Sequence, residues 1–170
     1  PMTAYNILRD SEGFYYVFCK LEEIDTVPKF TPDSEKRRRD LEEYEKRHRQ
    51  LPFLMSPMIT NGALAIELAF KFLIFKENLE FECEHKLDIL FLQLPQKYGD
   101  ELRTKIYEQI HQNEESLMKN LNQISNLFVE ARYFFERDTI GYSNFFTDLV
   151  HLVCDYVIDM KKEYIHEEDD

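Results

Sequence analysis

Glycine and proline are scarce in this sequence, with four and six among 170 residues, and tryptophan is absent. Folds built of many strands need turn residues at every reversal, so this scarcity argues against a many-stranded fold. The sequence also lacks a glycine-rich phosphate loop and internal repeats. What is present is core material, since 44% of the residues are hydrophobic and 14% are aromatic. We therefore predict a single all-α domain over residues 1–170, an up-and-down bundle of five to seven helices.

Cysteine is also rare, and its spacing does not suggest a disulfide framework. Cys19, Cys83 and Cys154 are an odd number, lie far apart and form no CxxC pair, and no secretory signal pattern accompanies them. We therefore expect reduced thiols in a cytoplasmic protein.

One stretch, Met58 to Phe75, is apolar enough to raise the question of a membrane span. Glu67 and Lys71 interrupt it, and each costs about 2.5 to 3.5 kcal/mol at the centre of a membrane helix. We therefore predict a central core helix and no membrane contact. Periodicity and cap residues, among them Thr31 for the second helix, predict the remaining elements. The predicted helices cover about residues 5–23, 31–50, 58–78, 85–94, 99–112 and 114–135, with a last helix starting at 143 or 144.

The chain has no excess of positive charge. Its formal net charge of −12 repels a phosphate backbone and disfavours an extended nucleic-acid surface. Basic residues cluster at 36–39 and 46–49, and acidic residues lie between the two clusters. On a helix these acids are three or four residues from the bases and can pair with them. We predict an outer, solvated helix held by ion pairs, and an acidic solubilising tail over residues 166–170.

Glu67 and Lys71 lie four residues apart on one face of the predicted core helix, where their side chains can pair. A desolvated ion pair needs further partners to offset the cost of its burial. Arg132, in the apolar run LFVEARYFF, is the predicted third partner because a guanidinium suits a bidentate buried contact. We interpret the cluster as structural, since no exposed nucleophile or cofactor motif accompanies it.

Three segments of the chain resemble small stand-alone members of the bacterial HEPN superfamily. They are NGALAIELAFKFLIF, HKLDILFLQLP and FVEARYFFE, and the resemblance covers residues 58–136. It implies a HEPN-like bundle over residues 58–165, often dimeric, and leaves the helices of residues 1–57 without an assigned role. Two polar residues of the matching segments extend the candidate binding or structural cluster, which then comprises Glu67, Lys71, Arg132, Tyr133 and His85.

The resemblance also carries an expectation about chemistry. Members of the superfamily serve in toxin–antitoxin and phage-defence systems, and many cleave RNA with an arginine that is followed by four to six residues and a histidine. This chain departs from that pattern. Arg103 and His111 come closest, but seven residues intervene, so that they lie about 12 Å apart along a helix axis. Arg132 has no histidine at the required distance.

Two hypotheses follow from this departure. The leading one is a homodimeric interaction or ligand-binding module without the usual nuclease pair, with a nucleotidyltransferase or an antitoxin as the partner that the resemblance implies. The alternative is an RNA-cleaving endoribonuclease whose atypical site includes Arg103, His111 or Arg132. The sequence leaves open whether the protein is an enzyme, and RNA stays a candidate ligand.

Every histidine in the chain follows an acidic residue by three positions. The pairs are Glu45 and His48, Glu82 and His85, Glu108 and His111, Asp148 and His151, and Glu163 and His166. The same Glu-x-x-His spacing supplies ligands in ferritin-like di-metal bundles, which makes a di-metal site the second alternative. We favour local pairing of acid and imidazole on outer helix faces, because polar residues surround these pairs. We therefore expect no metal and no cofactor.

Overall fold

The computed structural model describes residues 3–24, 32–50, 54–78, 84–131 and 144–161, and for residues 48 and 127–131 it describes the backbone alone. All regular structure in these ranges is helical. The helices are α1 (Ala4–Ile24), α2 (Ser34–Gln50), α3 (Met55–Lys76), α4 (Leu87–Leu92), α5 (Gln96–Ile110), α6 (Glu114–Ala131) and α7 (Asn144–Asp159). The predicted all-α bundle is thereby confirmed, with seven helices in the described ranges.

The central helix of the bundle is α3. Its residues between Met58 and Ile74 are buried on nearly every side. It packs most extensively against α1 and also contacts α4, α6 and α7. By length and composition it is the one helix among the described residues that could cross a membrane, yet 72% of its most apolar window is buried inside the protein. That burial is typical of a core helix.

A glycine lets α3 and α7 approach each other closely. A Cβ atom placed on Gly62 would lie 2.7 Å from Phe146 Cζ and 3.0 Å from Val150 Cγ2. Both distances are shorter than van der Waals contact between carbon atoms. Because Phe146 and Val150 are fully buried, the bare backbone of Gly62 is part of the core surface against which α7 packs.

Two helices, α2 and α3, begin at residues other than the predicted ones. Before α2, the side chain of Asp33 accepts hydrogen bonds from the backbone N–H groups of Glu35 and Lys36, both at 3.0 Å. The cap is therefore Asp33, and Thr31 lies outside the described residues. Similarly, α3 begins at Met55, and Pro57 occupies its first turn, where the missing N–H has no helical partner to lose.

The start of α5 was predicted wrongly at Gly99. The helix begins directly after Pro95, whose φ of −50° and ψ of 138° are not helical. Gly99 is the fourth residue of the helix, and a Cβ placed there would lie 2.8 Å from a guanidinium nitrogen of Arg103. At the other end, His111 takes a left-handed conformation with φ of 59° and ends the helix. The last helix, predicted to start at 143 or 144, is described from Asn144, and residue 143 lies outside the described residues.

The described side chains of α2 are all exposed or half-exposed. Ion pairs four residues apart run along it, at 3.7 Å between Arg38 and Glu42 and at 3.5 Å between Arg49 and Glu45. Such pairs each add only a few tenths of a kcal/mol, about 0.2 to 0.5, to a helix. The second helix is thus the outer, salt-bridged helix that its charge pattern predicts.

Candidate functional site

A buried ion pair lies in the middle of α3. Lys71 Nζ donates a hydrogen bond to Glu67 Oε1 at 2.7 Å, and the two side chains are only 10% and 7% exposed. They pair across one helical turn, as their spacing predicts. Removing two charges from water is costly, so a pair at this depth needs additional polar contacts.

His85 provides one of those contacts. Its Nδ1 lies 2.9 Å from Glu67 Oε1, the same oxygen that Lys71 binds. Because a carboxylate oxygen that already receives a hydrogen bond from an ammonium acts as acceptor, Nδ1 carries the hydrogen and Nε2 faces away from Glu67. The imidazole itself is 66% exposed. The exposed imidazole of His85 is therefore held in place by a hydrogen bond to the buried carboxylate of Glu67.

The segment that carries His85 is fixed by a series of hydrogen bonds. Glu84 Oε1 accepts hydrogen bonds from the backbone N–H groups of His85 and Lys86, both at 2.8 Å. These bonds lower the pKa of Glu84. One residue further on, the backbone N–H of Leu87 donates to Ser125 Oγ of α6 at 2.9 Å. The position of His85 is therefore determined by both α3 and α6.

Asp88, at the start of α4, adds an unusual carboxylate to this region. Its Oδ2 accepts a hydrogen bond from Asn122 Nδ2 at 3.1 Å. Its Oδ1 is buried and, among the described residues, has no hydrogen-bond partner. Buried polar atoms are nearly always satisfied, so Oδ1 is an acceptor for which a donor is expected from outside the described residues, from water or from a ligand. The remaining predicted members of the cluster, Arg132 and Tyr133, lie outside the described residues.

The candidate nuclease residues on α5 have separate surroundings. Arg103 Nε donates to Glu114 Oε2 at 2.8 Å, and its guanidinium lies 4.9 Å from the centroid of the Phe91 ring. These contacts join α5 to α4 and to the start of α6. His111 is exposed at the C-terminal end of α5. The contacts of Arg103 are those of a structural residue.

A second polar cluster, which sequence reasoning missed, joins α1 to α7. His151 Nε2 lies 2.8 Å from Glu22 Oε2, and its Nδ1 lies 2.7 Å from the hydroxyl of Tyr15. The expected local pairing with Asp148 is therefore wrong for this histidine. The relevant acid is 129 residues away in sequence, so helical spacing alone gives no signal for it.

The hydrogen atoms of this second cluster can be assigned by counting donors. The Tyr15 hydroxyl donates its single hydrogen to Asp155 Oδ1 at 2.9 Å, so it accepts from His151 Nδ1. The Glu22 carboxylate can only accept, so Nε2 also carries a hydrogen. His151 thus acts as a double donor. Burial, followed by the bond to Asp155, raises the pKa of Tyr15.

An open groove of about 380 Å³ lies between α5 and α7 beside this cluster. Lys105, Asp155 and Asp159 supply charges of both signs to its walls. The hydroxyl of Tyr156 donates to Glu101 at 2.6 Å. Burial and this bond raise the pKa of Tyr156. With one cation and two carboxylates, the groove is not built for an anion.

The described side chains provide no metal site. No group of three or more histidine, cysteine, aspartate or glutamate residues among them could hold a metal ion. Glu82, Glu163 and His166 of the di-metal hypothesis lie outside the described residues. Comparison of the chain with protein-family models, with curated proteins and with solved structures found no match.

Proposed function

We propose that the protein is a HEPN-like homodimeric binding module of a bacterial defence or toxin–antitoxin type system, and that it binds a nucleotide at His85. The observation that carries this proposal is the exposed imidazole held at 2.9 Å by the buried carboxylate of Glu67. A side chain fixed in this way loses little conformational entropy when a ligand binds.

The chemistry of His85 suits a phosphate group. With Nδ1 bonded to Glu67, Nε2 can donate to a phosphate oxygen when the ring is protonated. Lys71 neutralises Glu67 from the other side, so the carboxylate holds the imidazole while adding little net negative charge. The cluster can therefore present a positive group on a molecule whose formal net charge is −12.

The second feature that a nucleotide would use is Asp88. Its buried Oδ1 accepts no hydrogen bond among the described residues, and an exocyclic amine or ring N–H of a base could donate to it after the carboxylate rotates toward the surface. His85 and Asp88 are three residues apart and belong to one anchored segment. The overall negative charge favours a mononucleotide over a long RNA, because few phosphates can be neutralised.

The biological setting in this proposal rests on the resemblance of residues 58–136 to small HEPN proteins. From this resemblance we propose that the protein acts in the cytoplasm and that its partner is a nucleotidyltransferase or an antitoxin. In that setting the bundle recognises a nucleotide-bearing ligand or partner without cleaving it.

The test is binding of ATP and of a labelled single-stranded RNA to the purified chain, measured by calorimetry and fluorescence anisotropy. We expect ATP to bind, and His85→Ala to weaken binding at least about tenfold, or 1.4 kcal/mol. His111→Asn is the matched control, because it removes an exposed histidine at another helix end and asparagine tolerates the left-handed backbone. Equal binding by wild type and His85→Ala, or no ATP binding by the folded wild type, would contradict the proposal.

The same geometry supports a second candidate function, RNA cleavage at an atypical site. When the ring is neutral, Nε2 of His85 can take the proton of a 2′-hydroxyl as that oxygen attacks phosphorus. The bond to the 5′ oxygen then breaks, and this oxygen takes a proton from water. RNA cleavage that is lost in His85→Ala favours this function with His85 as the base. Cleavage that is lost instead on replacing Arg103, His111 or Arg132 would place the chemistry elsewhere.

A further inference from the structure

The outer face of α1 carries a regular stripe of exposed residues, which we call the α1 seam. Its members are Asn6, Asp10, Gly13, Val17, Lys20 and Ile24, and all six are exposed. They are spaced alternately four and three residues apart. This spacing aligns residues along one edge of a helix and is the spacing of contact positions in a pair of coiled helices.

Gly13 is the most unusual member of the seam, because it occupies the middle of a 21-residue helix. Glycine inside a helix is less favourable than alanine, because its backbone loses more conformational freedom on folding. A Cβ atom placed on Gly13 would meet nothing within 4 Å, so packing inside this chain does not require a glycine. By contrast, Gly62 is enclosed by α7. The open space at Gly13 can instead accommodate a side chain of another molecule.

The α1 seam is complementary to a second, antiparallel copy of itself. In an antiparallel pair centred between Gly13 and Val17, each Val17 lies opposite the Gly13 of the other copy. In the same register Asp10 lies opposite Lys20, so two ion pairs form between the copies. Lys20 now contacts Glu23 at 2.8 Å, but both side chains are about half-exposed, and such surface pairs contribute little.

We propose that the α1 seam is the surface through which two copies of this chain associate, with their α1 helices antiparallel. Exposed apolar side chains at and beside the seam, Val17, Ile24 and Tyr16, supply area to bury. A second copy is the occupant because it brings a valine to each glycine and an opposite charge to Asp10 and Lys20 in one register. This inference rests on the homodimer of the proposed function and gives that dimer its surface.

Sedimentation of the full chain over a wide concentration range tests the proposal. One helix per subunit is a small interface, so we expect a dimer that dissociates on dilution. Gly13→Leu closes the gap with a good helix former and should raise the dimer dissociation constant at least about tenfold. Gln123→Leu, which adds the same side chain to an exposed position of α6, is the control and should have no effect.

Charge exchange tests the register. Asp10→Lys alone places two lysines opposite each other and should weaken the dimer. The double variant Asp10→Lys, Lys20→Asp should restore it, because the symmetric pairs re-form with reversed polarity. A dimer that Gly13→Leu leaves intact, or a double variant no stronger than the single one, overturns this surface. A wild type that stays monomeric at every concentration overturns the surface and the homodimer together, whereas ATP binding at His85 is measured separately and can still hold.

Discussion

Tyr15 on α1 and His151 on α7 are 136 residues apart in the chain and are joined by a 2.7 Å hydrogen bond between the hydroxyl and Nδ1. The imidazole also meets the ring of Phe18 edge to face, with centroids 5.6 Å apart. Both α1 and α7 pack on α3, and they also contact each other. His151 therefore links α1 to α7, the two helices that pack side by side on α3.

Replacing His151 with alanine should destabilise the fold. The variant leaves Glu22 and Tyr15 without their shared donor, and we expect the free energy of unfolding to fall by about 1 to 3 kcal/mol. Urea unfolding followed by circular dichroism measures this change. His111→Asn, at an exposed helix end, should change it by no more than about 0.5 kcal/mol. Similar losses in the two variants would show that the contacts of His151 add no stability.

The stability of the protein should fall at alkaline pH. Burial raises the pKa of Cys154 well above 9.0 and also raises the pKa values of Tyr15 and Tyr156. These groups keep their protons in the folded state after the unfolded chain has lost them, so stability is full below the unfolded pKa and decreases as pH rises toward the folded value. We expect urea midpoints to decline above pH 9.0, the ordinary value for a cysteine.

Cys154→Ala separates the contribution of the thiol from that of the tyrosines. The variant should lose some stability at pH 7 because it leaves a small cavity. Its stability should nevertheless decline less between about pH 9 and 10 than that of the wild type. An unchanged slope in this window would contradict the assignment to Cys154.

Removing one partner of the buried ion pair should lower the free energy of unfolding more than replacing both partners with uncharged residues. Lys71→Ala removes the ammonium partner of the buried Glu67 carboxylate and leaves His85 as its remaining described partner, and we expect a loss of about 3 to 5 kcal/mol. The double variant Glu67→Gln, Lys71→Met removes both charges and keeps the volume, so its loss should be smaller than that of the single variant. Thermal and urea unfolding of the three proteins provide the comparison. A double variant that is less stable than Lys71→Ala would mean that the charges themselves stabilise the core.

Two glycine-to-alanine changes should have opposite signs. At Gly62 the new methyl group would collide with the Phe146 ring, and we expect a loss of about 1 to 3 kcal/mol. At Gly13 it meets open space, and the gain in helix propensity should stabilise the monomer by about 0.5 to 1 kcal/mol. Both are measured by denaturation at a concentration low enough for a monomer. A loss at Gly13 under these conditions would mean that an internal contact requires the glycine.

Local rules are sufficient for much of the fold. The apolar cylinder of α3 predicts a central helix, the alternating charges of α2 predict an outer one, and both are found. The pairing of Glu67 with Lys71 also follows from sequence, because four residues is one turn. Predicted helix starts are less accurate where two residues could cap the helix, as with Thr31 and Asp33. They are also less accurate where a glycine inside a helix suggests a helix end, as Gly99 does in α5.

Sequence pattern alone is enough for the all-helical fold class, the central position of α3 and the pairing of Glu67 with Lys71, because backbone geometry fixes which residues share a helix face. The hydrogen bonds from His85 to Glu67 and from His151 to residues of α1 become visible in the folded protein alone. Those contacts depend on the angles and offsets at which whole helices pack, which are set by many side chains together. The candidate site therefore combines a pair that helical spacing predicts with an imidazole that only the packing of the bundle brings to it.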